Sequence, residues 1–470
     1  MTPLGGFDAD ARVLVIGLGR SGRASCAVLR HRGATVWATD DKPAAELSEA
    51  IAEIEGAGAR FVAPADLRAV LGQVTVAVLS PGIPLNAELV RGVQAAGVPV
   101  YSEIEVAYRI CRAPIVAVTG TKGKTTTTSL IGALFREAGL GTYVGGNIGN
   151  PLIAETALAS ADDWVVAEVS SFQLESIRSF KPRISTILNL SPDHLDRYHS
   201  MDEYSEAKFR IFANQGPGDT FVGNLDDPIV GALATPDAES QRIPARAYWY
   251  AREPHRLTTL YVRGDRVVYA PPTGDPRPVD VMPVSEIPLL GEHNLANALA
   301  AILVGLAAGI DPEVLRAGVR GFTPLPHRLQ PVAEQDGVLF VDDSKATNPG
   351  AVIAALHAFA QPVVLIAGGR SKRTDFRALG DETIKRAKAM VLIGEAADDL
   401  AAVTTGVETA RANSMDEAVR MARALADPGD VVLLSPGCAS FDMFGSAEER
   451  GQAFTDAVLA PAAAGVSSCR

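Results

Sequence analysis

The sequence predicts an α/β protein of three domains with mainly parallel sheets, and three observations lead there. Short apolar strands alternate with helical patterns along the 470 residues. In each third of the chain those strands break into glycine or polar residues at their C-terminal ends, where open α/β sheets place ligands. Two junctions interrupt the alternation, Arg112-Ala113-Pro114 and the proline-rich GFTPLPHRLQP, and set domains at 1–112, 113–324 and 325–470. The length itself exceeds what one ordinary core holds.

Composition narrows the function classes. With 47% hydrophobic and 21% charged residues the chain is no disordered segment. A net charge of −12 argues against nonspecific binding to nucleic acid or an anionic membrane, leaving small molecules gripped by a few cations as partners. Cys26, Cys111, Cys438 and Cys469 lie far apart without a CxxC pair, so no zinc knot or disulfide framework is expected and a reducing cytoplasm fits. The start, MTPLGGFDADARVLV, lacks the basic and apolar regions of a signal peptide. The apolar run ALAAILVGLAAGI falls short of the roughly 18 residues a spanning helix needs and predicts a buried core helix. The alanine-rich tail after Ala460 reads as frayed.

The first domain opens with RVLVIGLGRSG, a strand followed by Gly17, Gly19 and Gly22 in GxGxxG spacing with Ser21 between them. TVWATDD is a second strand ending at Asp40, at the distance for a ribose hydroxyl, which completes a Rossmann-like dinucleotide fingerprint. Its glycines let backbone approach a pyrophosphate at a helix N-terminus. VTVAVLSPG, ending at Ser80 to Gly82, continues the parallel pattern.

In the second domain the strand IVAVTG runs into GTKGKTTT, predicting a P-loop ATPase-like centre. The Walker pattern puts a glycine at position 118, which is valine here. The shorter GxxGKT form keeps the physical parts: Gly120, Thr121, Lys122 and Gly123 as a loop of amide donors, Lys124 for the β and γ phosphates, Thr125 for Mg²⁺, and Thr126 in the first helical turn. A basic turn capping a helix is the plainer alternative, and the strand–loop–helix placement favours nucleotide. Such a loop serves a kinase, a hydrolase or a ligase equally well.

Glu168 ends an apolar strand, where a carboxylate is costly unless it meets a cation or metal. SPDHLDRYHS clusters Asp193, His194, Asp196 and His199 after the next strand, either as part of a Mg²⁺ site or as a solvated capping loop; Mg²⁺ prefers oxygen, which makes His194 the less usual ligand. Ser200 and Glu203 form a capping box, and Met201, Tyr204, Ile211 and Phe212 make an apolar stripe with Lys208 in its middle. A lysine there either snorkels or has its pKa lowered for chemistry. TTLYVRGDRVVYA is a hairpin turning at Gly264-Asp265. In GEHNLANALAA, Asn294 suits a cap, whereas Asn297 sits in a helix interior that asparagine disfavours and suits adenine recognition.

The third domain reads as VLFVDDS, VVLIAGG, MVLIG and VVLLSPG, a second Rossmann-like unit. Its strand ends VDDSKATN, AGGRSKRTDF and SPGCASFDMF offer Asp343, Lys345, Thr347, Lys372 and Ser440. Each alone is an ordinary loop residue; together they suit a polar, charged small substrate.

Taken in order, GTKGKTT, VVAEVSSFQLE, SPDHLDRYHSMDEYSEAK, GEHNLANALAA, LPHR, DDSKATN and LLSPGCAS resemble the Mur ligase family, the ATP-dependent amide ligases of peptidoglycan precursor synthesis, over nearly the whole chain. GLGRSG with DHLDRY, DSKATN and GGRSK points to the member that adds D-glutamate, and the DNPR-type motif of a diaminopimelate- or lysine-adding relative is absent. The resemblance implies ATP, UDP-N-acetylmuramoyl-L-alanine and D-glutamate as ligands of a cytoplasmic monomer, with an acyl-phosphate intermediate. It makes Lys124 and Thr125 phosphate and Mg²⁺ contacts, Glu168 and His194 metal-site residues, and Lys208 a carbamylated lysine supporting a second Mg²⁺. Asn294, Asn297, Arg328 and Asp343 would hold the rest of ATP. Gly17, Gly19, Ser21, Gly22, Asp40, Ser80 and Gly82 would hold the uridine diphosphate, and Asn147, Ser170 and Gln173 the muramoyl part. Lys345, Thr347, Lys372 and Ser440 would receive glutamate. The chain departs from the family at Gly445 and Ala447, where lysine and phenylalanine are usual, which implies a glutamate pocket that is wider or closed by another residue. Taken alone, GLGRSG with Asp40 also fits an NAD-dependent dehydrogenase, and the phosphate loop a nucleotide-binding regulator. Alanine-adding and folylpolyglutamate-type ligases are nearer alternatives, with the DHLDRY and DSKATN loops against them.

Overall fold

A computed structural model describes residues 7–194, 197–235, 242–272, 277–371 and 374–460. Three sheets follow one another along the chain. The first contains β1 (Arg12–Ile16), β2 (Thr35–Thr39), β3 (Arg60–Phe61), β4 (Val76–Leu79) and β5 (Val100–Ser102), all parallel in the order β3-β2-β1-β4-β5. The second contains β6 (Ile115–Thr119), β7 (Thr142–Gly146), β8 (Trp164–Glu168), β9 (Ile184–Ile187), β10 (Thr220–Asn224), β11 (Arg246–Ala251), β12 (Leu260–Arg263), β13 (Arg266–Tyr269) and β14 (Val279–Pro283). Its order is β14-β13-β12-β11-β10-β9-β6-β8-β7, parallel from β7 to β12, and the antiparallel β12–β13 pair is the hairpin expected at Gly264-Asp265. The third holds β15 (Gln330–Gln335), β16 (Val338–Asp342), β17 (Val363–Gly368), β18 (Ala387–Ile393), β19 (Glu408–Arg411) and β20 (Val431–Gly437), in the order β15-β16-β20-β17-β18-β19 with only β15 antiparallel.

The central strands β6 and β17 are buried at every residue, because a parallel sheet is covered on both faces. The expected apolar helix runs from Glu292 to Ala307 and buries Ala298 to Val304 completely. Among the described residues no helix is long and apolar enough to cross a membrane.

By packing, the chain divides into two compact units: residues 1–287 with 296–322, and residues 288–295 with 323–470. Within the first unit the first two sheets share one apolar cluster, running from Val13 and Val15 through Ile104 to Ile115, Leu152 and Phe180. Two carboxylates on the helix Glu103–Ile110 fasten that seam. Glu105 accepts hydrogen bonds from the backbone amides of Arg178, Ser179 and Phe180 at 2.8–2.9 Å and from Arg109 Nε at 2.8 Å. Burial works to raise its pKa, and these donors outweigh burial and hold it below the usual carboxylate value. Glu103 is worse provided. It accepts from the Ile153 amide at 2.7 Å through one oxygen, while the other is buried without a partner. Burial pushes its pKa up from 4.5 to about 7.

A raised carboxyl pKa means that the folded state holds the proton more tightly than the unfolded chain. The contribution of Glu103 to stability is therefore full below pH 4.5 and is lost as pH rises through about 7. Glu103→Gln should flatten that part of the stability–pH curve, checked by urea unfolding of both proteins between pH 5 and 8; an unchanged slope would count against a protonated Glu103.

Candidate active site

β6 delivers the chain into the loop Gly120–Gly123, and the helix Lys124–Glu137 starts directly after it. Gly123 holds a left-handed φ of 81° and, having no side chain, offers no cap to the helix that starts at Lys124. Asn189, two residues past the end of β9, clasps the loop: its Oδ1 accepts from the Lys122 amide at 2.8 Å and its Nδ2 donates to the Lys122 carbonyl at 3.0 Å. Lys124 Nζ folds over the loop, donating to the carbonyls of Gly120 and Thr121 at 3.0 and 2.9 Å. Asn297 lies against Gly123 so closely that a Cβ there would sit 2.1 Å from its Oδ1. Asn294 lies within the first turn of the helix Glu292–Ala307 and donates through Nδ2 to the Leu290 carbonyl at 2.8 Å.

Glu168 stands beside this loop because β8 pairs with β6 in the register Val118–Glu168. Its side chain is buried; Oε1 accepts from Asn147 Nδ2 at 2.9 Å and Oε2 has no hydrogen-bond partner. Lys208 reaches the loop from another direction. It is 2% exposed, lies 4.8 Å from the Tyr204 ring and donates to the Gly120 carbonyl at 2.9 Å. Burial, helped by the Lys124 ammonium and opposed by Asp193 and Glu168, lowers its pKa to about 7. Its helix ends at Phe209 and passes into a 3-10 turn over Arg210–Phe212, so Ile211 and Phe212, though buried, do not continue the α-helical stripe. The capping box is also modified: Ser200 Oγ accepts from the Glu203 amide, but the Glu203 carboxylate accepts from the His199 amide, one residue before the cap.

His194 is half-exposed, has a φ of 54° and packs against Phe172 with ring centroids 4.9 Å apart. Its loop is held by Glu175, which accepts from Arg197 Nη2 at 2.6 Å and from the Tyr198 hydroxyl at 2.5 Å. Asp196 lies outside the described residues, and His199 is exposed. Among the described residues no three His, Cys, Asp or Glu side chains gather as a self-sufficient metal cage. A Mg²⁺ site does not need one, since that ion keeps several waters and takes one or two carboxylates plus substrate phosphates. The unpartnered buried Oε2 of Glu168 beside a phosphate loop fits such a group.

A cavity of about 620 Å³ collects Gly17, Gly19, Ser21, Asp40, Ser80 and Gly82 from the first sheet with Asn147 and Gln173 from the second. Gly22 and Ser170 support it instead of lining it. A Cβ on Gly22 would lie 1.7 Å from the Gly17 carbonyl oxygen, and Ser170 caps the short helix Ser171–Leu174 while its amide donates to Gln173 Oε1. Asp40 accepts from the amides of Leu18 and Lys42 at 2.7 and 3.0 Å and so braces the glycine loop. Asn147 has two faces, one on the cavity and one on Glu168.

In the second unit Asp343 is buried, accepting from the Leu329 amide at 3.2 Å and Ser435 Oγ at 2.9 Å, yet burial still raises its pKa to about 7. Arg328 is exposed between His327 and Leu329, whose φ values of 62° and 43° mark a strained turn. Ser440 is buried, Thr347 is exposed, and Lys345 pairs with Glu448. Lys372 lies outside the described residues. Ala447 begins the helix Ala447–Leu459, and its carbonyl accepts from Ser344 Oγ at 2.7 Å.

Sequence reading singled out none of Asn189, Glu175, Arg20 and Arg450. Arg20 sits within GLGRSG and Glu175 ends VVAEVSSFQLE, while Asn189 is a polar residue closing the apolar run ISTIL. Arg20 lines the cavity and donates to the Gly149 carbonyl. The buried Arg450 binds the Ser344 carbonyl and the Cys438 carbonyl, joining the loops after β16 and β20.

Gly123→Ala should abolish high-affinity nucleotide binding, since the methyl meets Asn297 in a backbone conformation that alanine resists. Titration with a fluorescent ATP analogue checks this; wild-type affinity in the variant would refute the loop assignment.

Residues 11–102 match the Mur ligase MurD-like N-terminal domain, residues 118–305 the Mur ligase middle domain and residues 327–438 the Mur ligase glutamate ligase domain. The chain is 45% identical to a UDP-N-acetylmuramoylalanine--D-glutamate ligase of Pelotomaculum thermopropionicum, over 95% of this chain and 97% of that one. It is 40% identical to the protein of the same name from Koribacter versatilis, over 95% and 97%. A crystal structure of MurF from Acinetobacter baumannii shares the fold with a TM-score of 0.60 at 17% identity, covering 95% of this chain and 94% of that one.

Proposed function

The chain belongs to the Mur ligase family, and from that premise we propose that it adds D-glutamate to UDP-N-acetylmuramoyl-L-alanine at the expense of ATP, in peptidoglycan precursor synthesis. The observation that carries the reading is Asn147, which joins the cavity at the glycine loop to the carboxylate beside the phosphate loop. A nucleotide-sugar acid laid in that cavity has its far end directed toward the γ-phosphate of ATP. The dehydrogenase reading of GLGRSG falls with the family placement.

The reaction balances as two displacements. The alanyl carboxylate attacks the γ-phosphorus and ADP leaves; the glutamate amine then attacks the acyl carbon, and inorganic phosphate leaves as the amine gives up its proton. The protein positions the groups and neutralises charge without forming a bond to substrate. Lys124 turns from the loop carbonyls to the β and γ phosphates, and the backbone of Gly120, Thr121, Lys122, Gly123, Thr125 and Thr126 wraps the remainder, with Asn294, Asn297, Arg328 and Asp343 completing the ATP site. Thr125, Glu168 and His194 would hold Mg²⁺, which when bound supplies charge neutralisation on the transferring phosphoryl group. Lys208 takes up CO₂: its neutral amine attacks the carbon, a proton leaves to solvent, and a buried cation becomes an anion able to support a second Mg²⁺. Lys345, Thr347, Lys372 and Ser440 receive glutamate, the domains 1–112, 113–324 and 325–470 divide the three ligands among them, and the enzyme acts as a cytoplasmic monomer.

Phosphate release should require ATP, UDP-N-acetylmuramoyl-L-alanine and D-glutamate together. A panel of D- and L-amino acids tests it, and an L-amino acid preferred over D-glutamate would overturn the assignment. Lys208→Ala should lower turnover by about 10²-fold or more, with partial rescue by short carboxylates. Because the neutral amine grows as pH rises through about 7, the mass of one added CO₂ on the wild-type protein should increase from pH 6 to pH 8. Full activity of the variant without added carboxylate would remove the carbamate from the scheme.

A further inference from the structure

At the opposite end of the central sheet from the phosphate loop lies a second cavity, of about 390 Å³, under the linker that joins the first sheet to the second. β6 begins there at Ile115 and reaches the phosphate loop only after five residues, about 15 Å of strand. The two ligand-bearing ends are therefore separate.

The walls come from both sheets. Tyr108, on the last helix of the first sheet, and Ala161 make an apolar side together with Pro114, while Arg112, Lys181 and Arg183 bring three cations. A single carboxylate answers them. Asp219 is buried, 3.2 Å from Lys181 Nζ and 3.7 Å from Arg183 Nη1. Arg112 makes no ion pair or hydrogen bond among the described residues. A smaller adjoining cavity of about 170 Å³ shares Arg183 and adds Arg246, so the cationic lining continues past the first opening. Three cations facing one carboxylate leave room for two negative charges.

We propose that this cleft is a second ligand site, taking a small phosphate monoester that carries an apolar or aromatic group. The dianionic head would sit among Lys181, Arg183 and Arg112, where guanidinium forks match phosphate oxygens, and the apolar part would lie against Tyr108 and Ala161. Since Tyr108 and Arg112 belong to the first sheet and its linker while Lys181 and Arg183 lie between β8 and β9, the ligand stiffens the seam between the two sheets.

Phenyl phosphate is the probe, titrated into the full-length protein by isothermal calorimetry with ATP and UDP present at saturation. Saturable binding of one equivalent is expected, about tenfold or more weakened in Lys181→Met/Arg183→Met and blocked in Ala161→Trp, which fills the opening without touching a charge. Unfolding midpoints of both variants establish that they fold. Benzoate, with one negative charge, should bind more weakly than phenyl phosphate. The proposal is overturned by an absence of saturable binding, by unchanged affinity in folded variants, by displacement with ATP or UDP, or by benzoate binding as tightly.

Discussion

Two lysine ammonium groups, Lys124 and Lys208, converge on the carbonyl oxygen of Gly120. Like charges this close are tolerable only where compensating charge is near or expected, and Asp193 and Glu168 supply part of it. The rest of the first unit is arranged around that condition. Parallel strands β6, β8 and β9 place the loop, Glu168 and Asn189 at one edge, and Thr121 meets the Tyr204 hydroxyl at 3.2 Å to seat the lysine-bearing helix. The Lys124 ammonium adds to burial in favouring the neutral amine of Lys208, so the repulsion is relieved within the protein itself.

The same unit shows why the first two sheets pack as one body. Glu105 satisfies three consecutive amides of the segment after β8, and a shared apolar cluster runs beneath it. The cavity at the glycine loop is thus walled by elements that cannot separate without exposing Ile104, Leu152 and Phe180. Fixed walls suit a large ligand bound mainly by backbone, where a small displacement would lose several contacts together.

Much of this was legible in the sequence because it is written in short-range grammar. Strand–glycine–helix transitions placed both glycine loops, and an out-of-place lysine at position 208 foretold a buried one. Long-range partners were not legible. That Asp40 would turn to the Leu18 amide, that Asn189 would clasp Lys122, and that Arg450 would bind Ser344 all depend on tertiary packing that no local spacing encodes. Gly22 shows the boundary between the two cases. Its place in the motif was evident, whereas its close approach to the Gly17 carbonyl, which leaves no space for a side chain, was not.

Asn147 carries one further consequence. Its amide gives an N–H to Glu168 while the same side chain borders the cavity at the glycine loop. A ligand that takes the amide oxygen polarises the N–H on the other side, and a cation that draws on Glu168 pulls back through the same bond. Were the proposed sugar-acid and cation both bound, thermodynamic reciprocity would make the two occupancies partners: whatever the first does to the affinity of the second, the second does to the first, by the same factor. One primary amide thus links the wall of the cavity to the buried carboxylate beside the phosphate loop.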